Sequence, residues 1–257
     1  MKLHYQRNGQ GKPLIILHGL FGSLENWGAQ TKTLADSYDV IAVDLRNHGR
    51  SPHADDTCYS SLSQDLLELV EDLQLGQVLL MGHSMGGKVA MQFALNHPEH
   101  VEKLVVVDIA PVEYPPRHDE VIAGLNAIPL NSLKSRTEAD RTLSGYVDDS
   151  ATRAFLLKNL YRNAHKTFAW RMNLRALASG YADIGAAPGI TSQPYAGPVL
   201  FIKGGNSDYL LPEHQQPIQE RFPNASFKII AGAGHLPHVE KPAAFTRLIE
   251  QFLTPAG

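Results

Sequence analysis

Short apolar runs recur along the chain, and segments of helical composition or spacing separate them. The runs have the length typical of buried strands, and they lie at residues 14–17, 40–43, 77–81, 104–107, 199–202 and 227–230. The predicted helices lie at residues 27–38, 62–76, 88–95, 212–222 and 242–253. A capping box at Ser61 and Gln64 predicts the start of the second of these helices. Strands that alternate with helices and are apolar on both faces indicate an α/β fold with a mainly parallel, helix-flanked sheet.

The alternation is interrupted once, from about residue 112 to residue 196. This segment has no buried-strand run, and short helices are predicted near residues 117–127, 135–146 and 150–161. We therefore predict a core of residues 1–111 and 197–257 and a helical cap of residues 112–196, inserted after the strand that ends at Asp108. Ligands of open α/β sheets bind at the carboxyl ends of the strands, so the cap would cover that edge. Five aromatic residues could line a pocket there or pack within the cap: Tyr114, Phe155, Tyr161, Phe168 and Trp170.

One predicted strand-to-helix turn carries a serine between glycines. The sequence Gly-His-Ser-Met-Gly occupies residues 82–86, after the strand at 77–81 and before the helix at 88–95. So sharp a turn forces the serine into strained backbone angles and leaves no room for side chains at Gly82 and Gly86. The pattern predicts a nucleophile elbow, with the Ser84 hydroxyl above the sheet and a helix N-terminus facing any anion beside it.

A serine hydroxyl needs a histidine that takes its proton and an acid that holds this histidine. His235 follows the last predicted strand in a glycine-rich loop, at the sheet edge that carries Ser84, and we predict it as the base. His238 is the nearest alternative, and a metal site at His235 and His238 is a weaker hypothesis because no third ligand is suggested. His83 should point away from Ser84, because successive side chains alternate at the end of a strand.

Two aspartates could hold His235. Asp108 ends the strand that follows the elbow helix, and Asp208 lies in the loop after the next strand, so the order Ser, Asp, His fits both. A carboxylate that ends an apolar strand is harder to explain structurally than one in a polar loop, which favours Asp108 and leaves Asp208 as the alternative. Asp44 also ends a strand, but it precedes the elbow, and we interpret it as organising the next loop together with Arg46.

A second loop at the same edge could stabilise an oxyanion. His18 ends an early strand, and the glycines at residues 19 and 22 allow the backbone there to approach a reacting carbonyl. We predict that the backbone N–H groups of Leu20 and Met85 form an oxyanion hole.

Composition excludes several other functions. The net charge is −3 with no basic run, which argues against binding to nucleic acid or to an anionic membrane surface. The single cysteine, Cys58, excludes an internal disulfide framework and a cysteine-based metal cluster. We see neither a signal-peptide pattern nor an apolar window long enough to span a membrane, so we expect a cytoplasmic monomer or small homo-oligomer.

Six motifs together resemble the small serine esterases of the α/β-hydrolase superfamily, and most closely the YbfF-like branch. They lie at residues 18–23, 44–52, 82–88, 108–112, 204–207 and 232–235. The resemblance implies an α/β-hydrolase fold, a Ser84 nucleophile, a His235 base and hydrolysis of short-acyl, small-molecule esters with neither metal nor cofactor.

The resemblance also bears on the acid. In the common superfamily pattern the acid falls three residues after a glycine in the loop that follows the penultimate strand. Counted from Gly204 that position is Ser207, and only a count from Gly205 gives Asp208, whereas the Asp-Ile-Ala-Pro motif of the branch supports Asp108. The same triad could serve a thioesterase, a C–C hydrolase or a perhydrolase, and a ligand-binding receptor with little turnover is the alternative outside enzymes.

Overall fold

The structure is a computed structural model, and it describes residues 1–189 and 193–254. Its strands are β1 His4–Asn8, β2 Lys12–Leu17, β3 Tyr38–Asp44, β4 Val78–His83, β5 Val101–Val107, β6 Leu160–Arg162, β7 Phe168–Trp170, β8 Val199–Gly204 and β9 Ala225–Ile230. Seven of them form one sheet in the order β1-β3-β2-β4-β5-β8-β9. Strand β1 pairs with β3 in the antiparallel sense, and every other neighbour in this sheet is parallel. The predicted α/β fold with a mainly parallel sheet is confirmed.

The helices connect these strands. They are α1 Gly28–Leu34, α2 Tyr59–Asp72, α3 Met85–Asn96, α4 Asp119–Ala127, α5 Arg136–Leu143, α6 Ser150–Leu157, α7 Leu174–Ser179, α8 Tyr181–Gly185, α9 Gln215–Arg221, α10 Pro237–Glu240 and α11 Pro242–Leu253. Short 3₁₀ turns at Leu24–Trp27, Pro98–His100 and Pro212–His214 precede α1, β5 and α9. None of the helices in the described residues is long and apolar enough to cross a membrane.

Alternate residues of each central strand face opposite sides of the sheet and belong to two separate cores. On β2, Ile15 and Leu17 belong to the core that also contains apolar residues of α2 and α3. Leu14 and Ile16 belong to the other core, with apolar residues of α1 and α11. Because both faces are covered by helices, the strands read as continuous apolar runs in the sequence.

The insertion between β5 and β8 carries α4–α8 and a small hairpin of β6 and β7. Its buried residues, such as Leu125 and Leu143, extend the core on the α2 and α3 side of the sheet. The prediction of short helices here is confirmed. The hairpin was missed because each of its strands has three residues, too few for a periodic signal. Residues 190–192 of the predicted cap and 255–257 of the predicted core lie outside the described residues.

The predicted start of α2 is wrong. The helix begins at Tyr59 with Cys58 as its N-cap, so Ser61 and Gln64 lie inside the helix and form no capping box. The loop before the helix is already ordered by the carboxylate of Asp56, which accepts the N–H of Cys58 at 2.9 Å. The helix can therefore begin before the Ser-x-x-Gln pattern that suggested its cap.

Candidate active site

Ser84 occupies the sharp turn between β4 and α3. Its backbone has φ 52° and ψ −120°, the strained conformation that the glycine spacing predicts. A Cβ atom at residue 82 would lie 2.1 Å from the carbonyl oxygen of Gly86. A Cβ atom at residue 86 would lie 2.4 Å from the carbonyl oxygen of His18. Both glycines are therefore required by close backbone contacts, and the turn presents the serine side chain at the carboxyl end of β4.

Ser84, His235 and Asp108 form a continuous hydrogen-bonded chain. The Nε2 atom of His235 lies 3.0 Å from Oγ of Ser84, and its Nδ1 atom lies 2.8 Å from Oδ2 of Asp108. A carboxylate is an acceptor, so the Nδ1–H group of His235 donates to Asp108 and Nε2 is free to accept from the serine hydroxyl. This arrangement can draw a proton from Ser84 onto the imidazole and stabilise the resulting charge.

The Asp108 side chain is fully buried directly after β5. The backbone of Asp108 has φ 52°, a left-handed conformation that aspartate tolerates better than most residues. Its Oδ1 atom accepts the N–H of Gly204 at 2.8 Å, and Oδ2 accepts the hydroxyl of Ser207 in a short hydrogen bond. The carboxylate is thus held from three directions, which fixes the orientation that it imposes on His235.

Asp208 lies elsewhere. Its side chain is 70% exposed and forms an ion pair with Arg117 at 2.9 Å, whereas the Asp108 side chain has no exposed surface. The position that the superfamily spacing assigns to an acid is Ser207, and the hydroxyl there contacts the acid instead. The spacing singles out position 207, but it does not predict that the hydroxyl of the serine there contacts Asp108.

Leu20 and Met85 both line the cavity over Ser84. No hydrogen bond of the described chain uses the backbone N–H group of either residue. Met85 is the first residue of α3, where N–H groups have no partner within the helix and the helix dipole favours negative charge. The predicted oxyanion donors therefore lie beside the serine with their hydrogen-bonding capacity unused.

His83 supports the loop that carries His235. It is buried, and its Nε2–H group donates to the backbone carbonyl of His235 at 2.8 Å. Burial holds the pKa of His83 well below its ordinary value, so the ring is neutral at neutral pH. The His83 ring also lies 4.7 Å from the His235 ring, between centroids, so it packs against the proposed base as well as holding its backbone.

His238 packs inside the protein rather than beside Ser84. Its ring stacks on Trp27 with 4.2 Å between centroids, and burial lowers its pKa to about 3. Within residues 1–189 and 193–254, no group of three or more His, Cys, Asp or Glu side chains is arranged to hold a metal ion. The geometry gives the hypothesis of a metal site at His235 and His238 no support.

An open cavity of about 40 Å³ lies between the sheet edge and the insertion. Of the five aromatic candidates in the insertion, Tyr114 lines this cavity. Phe155, Phe168 and Trp170 pack against the apolar core, and Tyr161 lies under the guanidinium of Arg171. The insertion also contributes polar side chains that the sequence did not single out, and these are Arg117, His118 and Tyr181.

Lys88 is a buried cation in the wall of this cavity. Its Nζ atom donates to the carbonyl oxygens of Gly185 and Ala186 at 2.8 and 2.6 Å, and it lies 4.8 Å from the ring centroid of Tyr114. Burial lowers its pKa to about 7. The sequence analysis did not single out this residue, although a lysine within the mostly apolar helix α3 was a visible signal.

The loop after β3 is organised by Asp44 and Arg46, as predicted, through separate contacts. The Asp44 carboxylate accepts the backbone N–H groups of Leu24 and Arg50 at 2.8 and 2.9 Å. The Arg46 guanidinium binds the carboxylates of Asp65 and Asp56. Two separate carboxylate contacts therefore fix the two ends of this loop.

Comparisons with known proteins agree with the fold. A family described as alpha/beta hydrolase fold matches residues 12–242. The sn-1-specific diacylglycerol lipase ABHD11 of Mus musculus is 41% identical over 248 residues, which cover 93% of this chain and 80% of that protein. Esterase YbfF of Escherichia coli (strain K12) is 36% identical over 249 residues, which cover 96% of this chain and 95% of that protein.

A solved structure described as a marine microorganism esterase has a TM-score of 0.96 at 40% identity and covers 98% of this chain and 99% of its own. The resemblance that the sequence motifs suggested is thereby confirmed, and the chain belongs to the α/β-hydrolase fold family.

Proposed function

We propose that the protein is a serine carboxylesterase that hydrolyses short-acyl esters of small molecules through an acyl-enzyme intermediate. The observation that carries this proposal is the hydrogen-bonded chain from Ser84 through His235 to the buried Asp108. Relatives with similar sequences are named as an esterase and a lipase, which supports an ester as the substrate.

In the proposed first step, Ser84 attacks the ester carbonyl while Nε2 of His235 takes the hydroxyl proton. Asp108 keeps the imidazole in the required tautomer and stabilises its positive charge. The backbone N–H groups of Leu20 and Met85 hold the oxyanion of the tetrahedral intermediate. His235 then gives its proton to the leaving alcohol, and the acyl group remains on Ser84.

In the second step a water molecule gives a proton to His235 and attacks the acyl-enzyme. Collapse of the second tetrahedral intermediate releases the carboxylic acid and returns the proton to Ser84. The residues of this mechanism need no metal or cofactor.

The size of the cavity supports a small acyl group. Its volume of about 40 Å³ is well below the range of about 300–1,000 Å³ for small-molecule sites. We propose that residues 112–196 act as a cap over Ser84, since side chains of this segment, including Tyr114, Arg117 and Tyr181, complete the cavity wall.

Hydrolysis of p-nitrophenyl acetate, butyrate, octanoate and palmitate by the wild type and by Ser84→Ala tests the proposal. We expect the highest kcat/KM for acetate or butyrate. For Ser84→Ala we expect a loss of kcat on the order of 10⁴-fold or more, because the nucleophile is absent. Ser132→Ala, at an exposed position of the insertion, is the matched control and should retain wild-type activity.

Activity of Ser84→Ala near the wild-type level would contradict the serine mechanism, and a preference for palmitate would contradict the short-acyl specificity. A coenzyme A thioester with the same acyl group, included in the same panel, separates an esterase from a thioesterase.

A further inference from the structure

The loop at residues 19–22 is held by hydrogen bonds at three consecutive peptide groups. The carbonyl of Gly19 accepts from Nδ1 of His18 at 2.8 Å and from the N–H of Gly22 at 3.0 Å. The N–H of Phe21 donates to Nε2 of His48 at 3.2 Å. The carbonyl of Phe21 accepts from Nδ2 of Asn159 at 2.7 Å. The loop that carries Leu20 is therefore fixed on both sides of this residue.

The planarity of the peptide group links these contacts to the Leu20 N–H. In a trans peptide the C=O and N–H bonds point in opposite directions, so partners of the Gly19 carbonyl also set the direction of the Leu20 N–H. Phe21 has φ 59°, a left-handed conformation that is unfavourable for a bulky residue. Such a conformation persists only where surrounding contacts impose it, so the loop depends on its hydrogen-bond partners.

Two of these partners, His18 and His48, lie outside the insertion. His18 and His48 are buried, and burial lowers their pKa values to about 4 and about 3. Both rings are therefore neutral at neutral pH, with one donor and one acceptor nitrogen each. His18 accepts the N–H of Leu45 through Nε2, and His48 faces the carbonyl of Arg46 through Nδ1, so each ring has a fixed orientation.

The third partner comes from the insertion. Asn159 lies directly before β6, 138 positions from Phe21 in the sequence, and it is 4% exposed. Its side-chain amide also donates to the carbonyl of Leu156 at 3.2 Å, and its backbone carbonyl accepts the N–H of Arg171 at 2.8 Å. Asn159 is thus held by the last turn of α6 and by the residue that follows β7. Its position therefore depends on the position of the whole insertion.

We propose that Asn159 is a positioning residue for the oxyanion hole. By holding the Phe21 carbonyl, it keeps the strained loop in the conformation that directs the Leu20 N–H towards the reacting carbonyl. The insertion then supports the transition state as well as forming a wall of the substrate cavity. This inference rests on the proposed function, because it takes Leu20 as an oxyanion donor.

Steady-state kinetics and inhibitor affinities for Asn159→Leu test this inference. Leucine has a similar volume but cannot donate to the Phe21 carbonyl. Loss of a whole oxyanion donor typically costs about 10²–10³-fold in kcat, so a misdirected donor should cost about 10–100-fold, with KM for p-nitrophenyl acetate within about twofold. The affinity for an alkyl trifluoromethyl ketone, which adds to the serine as a tetrahedral mimic, should fall by the same factor as kcat.

Asn173→Ala is the matched control. Asn173 also joins the insertion to the core, through hydrogen bonds to Asn47 and Ala54, and neither of these partners belongs to the loop at 19–22. We expect this variant to lose stability and to keep kcat. Asn159→Asp, which keeps the size of the side chain but replaces the donor with an acceptor, gives the same test if the leucine variant does not fold.

The outcomes separate this inference from the proposed function. Wild-type kcat in a folded Asn159→Leu, or a loss of kcat without a matching loss of affinity for the trifluoromethyl ketone, would overturn the role of Asn159. Esterase activity that does not depend on Ser84 would overturn the proposed function, whatever the Asn159 variants do.

Discussion

The carboxyl edge of the sheet and the insertion face each other across one cavity, but they position their side chains by different means. Ser84 and Asp108 directly follow the central strands β4 and β5, and His235 lies in the turn region after β9. The backbone of each of these strands is fixed by pairing with at least one neighbouring strand. The insertion instead consists of short helices and a hairpin of three-residue strands, which depend on side-chain contacts to the core.

This difference assigns different tasks to the two regions. Parallel strand pairing fixes the strand ends that precede Ser84 and Asp108, the proposed nucleophile and acid, so their separation is insensitive to the surface of the protein. The insertion acts on the site through single contacts, such as Lys88 with the carbonyls of Gly185 and Ala186, and Asn159 with the carbonyl of Phe21. We therefore expect substitutions at the strand ends to abolish turnover, and substitutions at the contacts of the insertion to reduce it.

We expect the largest difference in kcat between substitutions of Asp108, at the end of β5, and of Asp208, at the protein surface. Asp108→Asn should lower kcat by about 10³–10⁴-fold, because an amide at this position favours the wrong tautomer of the histidine. Asp208→Asn makes the same chemical change at an exposed ion pair with Arg117, and kcat should stay within about twofold of the wild type. Kinetics with p-nitrophenyl acetate give both values. A greater loss for Asp208→Asn would mean that the acid is not fixed by the end of β5.

The sequence predicted the parts of the site that follow from local geometry. Ser84 was identified by its glycine neighbours, and His235 and Asp108 by their places at strand ends, which share one edge of a parallel sheet. The contacts of the insertion could not be predicted, because they join residues far apart in the chain. Lys88 and Gly185 are 97 positions apart, and Asn159 and Phe21 are 138 apart. No periodic pattern or turn chemistry relates such pairs.

The same limit applies to parts of the fold. The central strands were predicted because a strand that is buried on both faces has a continuous apolar sequence. The hairpin of β6 and β7 was missed because its three-residue strands are too short to carry a pattern. The start of α2 was predicted three residues late, since the Asp56 carboxylate orders the preceding turn through a contact that the Ser61 pattern does not reveal.

A smaller effect is expected where Lys88 joins the two regions. Its pKa in the folded protein is about 7 because of burial, against about 10.4 in an unfolded chain. The unfolded chain therefore holds the proton over this interval, and the free energy of unfolding should rise as the pH increases from about 7 to about 10. Lys88→Met should remove this part of the rise. Urea unfolding midpoints near pH 7 and pH 9 provide the measurement.

Lys158→Met is the matched control for this prediction, since Lys158 is an exposed lysine of the insertion. It should keep the wild-type dependence of stability on pH. An unchanged dependence in Lys88→Met would indicate that the ammonium group is accommodated in the cavity wall without a cost in free energy.

We propose that Ser84 is the nucleophile and that His235 activates it. Covalent labelling with a fluorophosphonate ester, followed by mass analysis of proteolytic peptides, identifies the nucleophile. We expect one adduct per chain, located on Ser84, with loss of esterase activity in proportion to labelling and no adduct in Ser84→Ala. An adduct on a different residue, or full esterase activity after complete labelling of Ser84, would exclude Ser84 as the nucleophile.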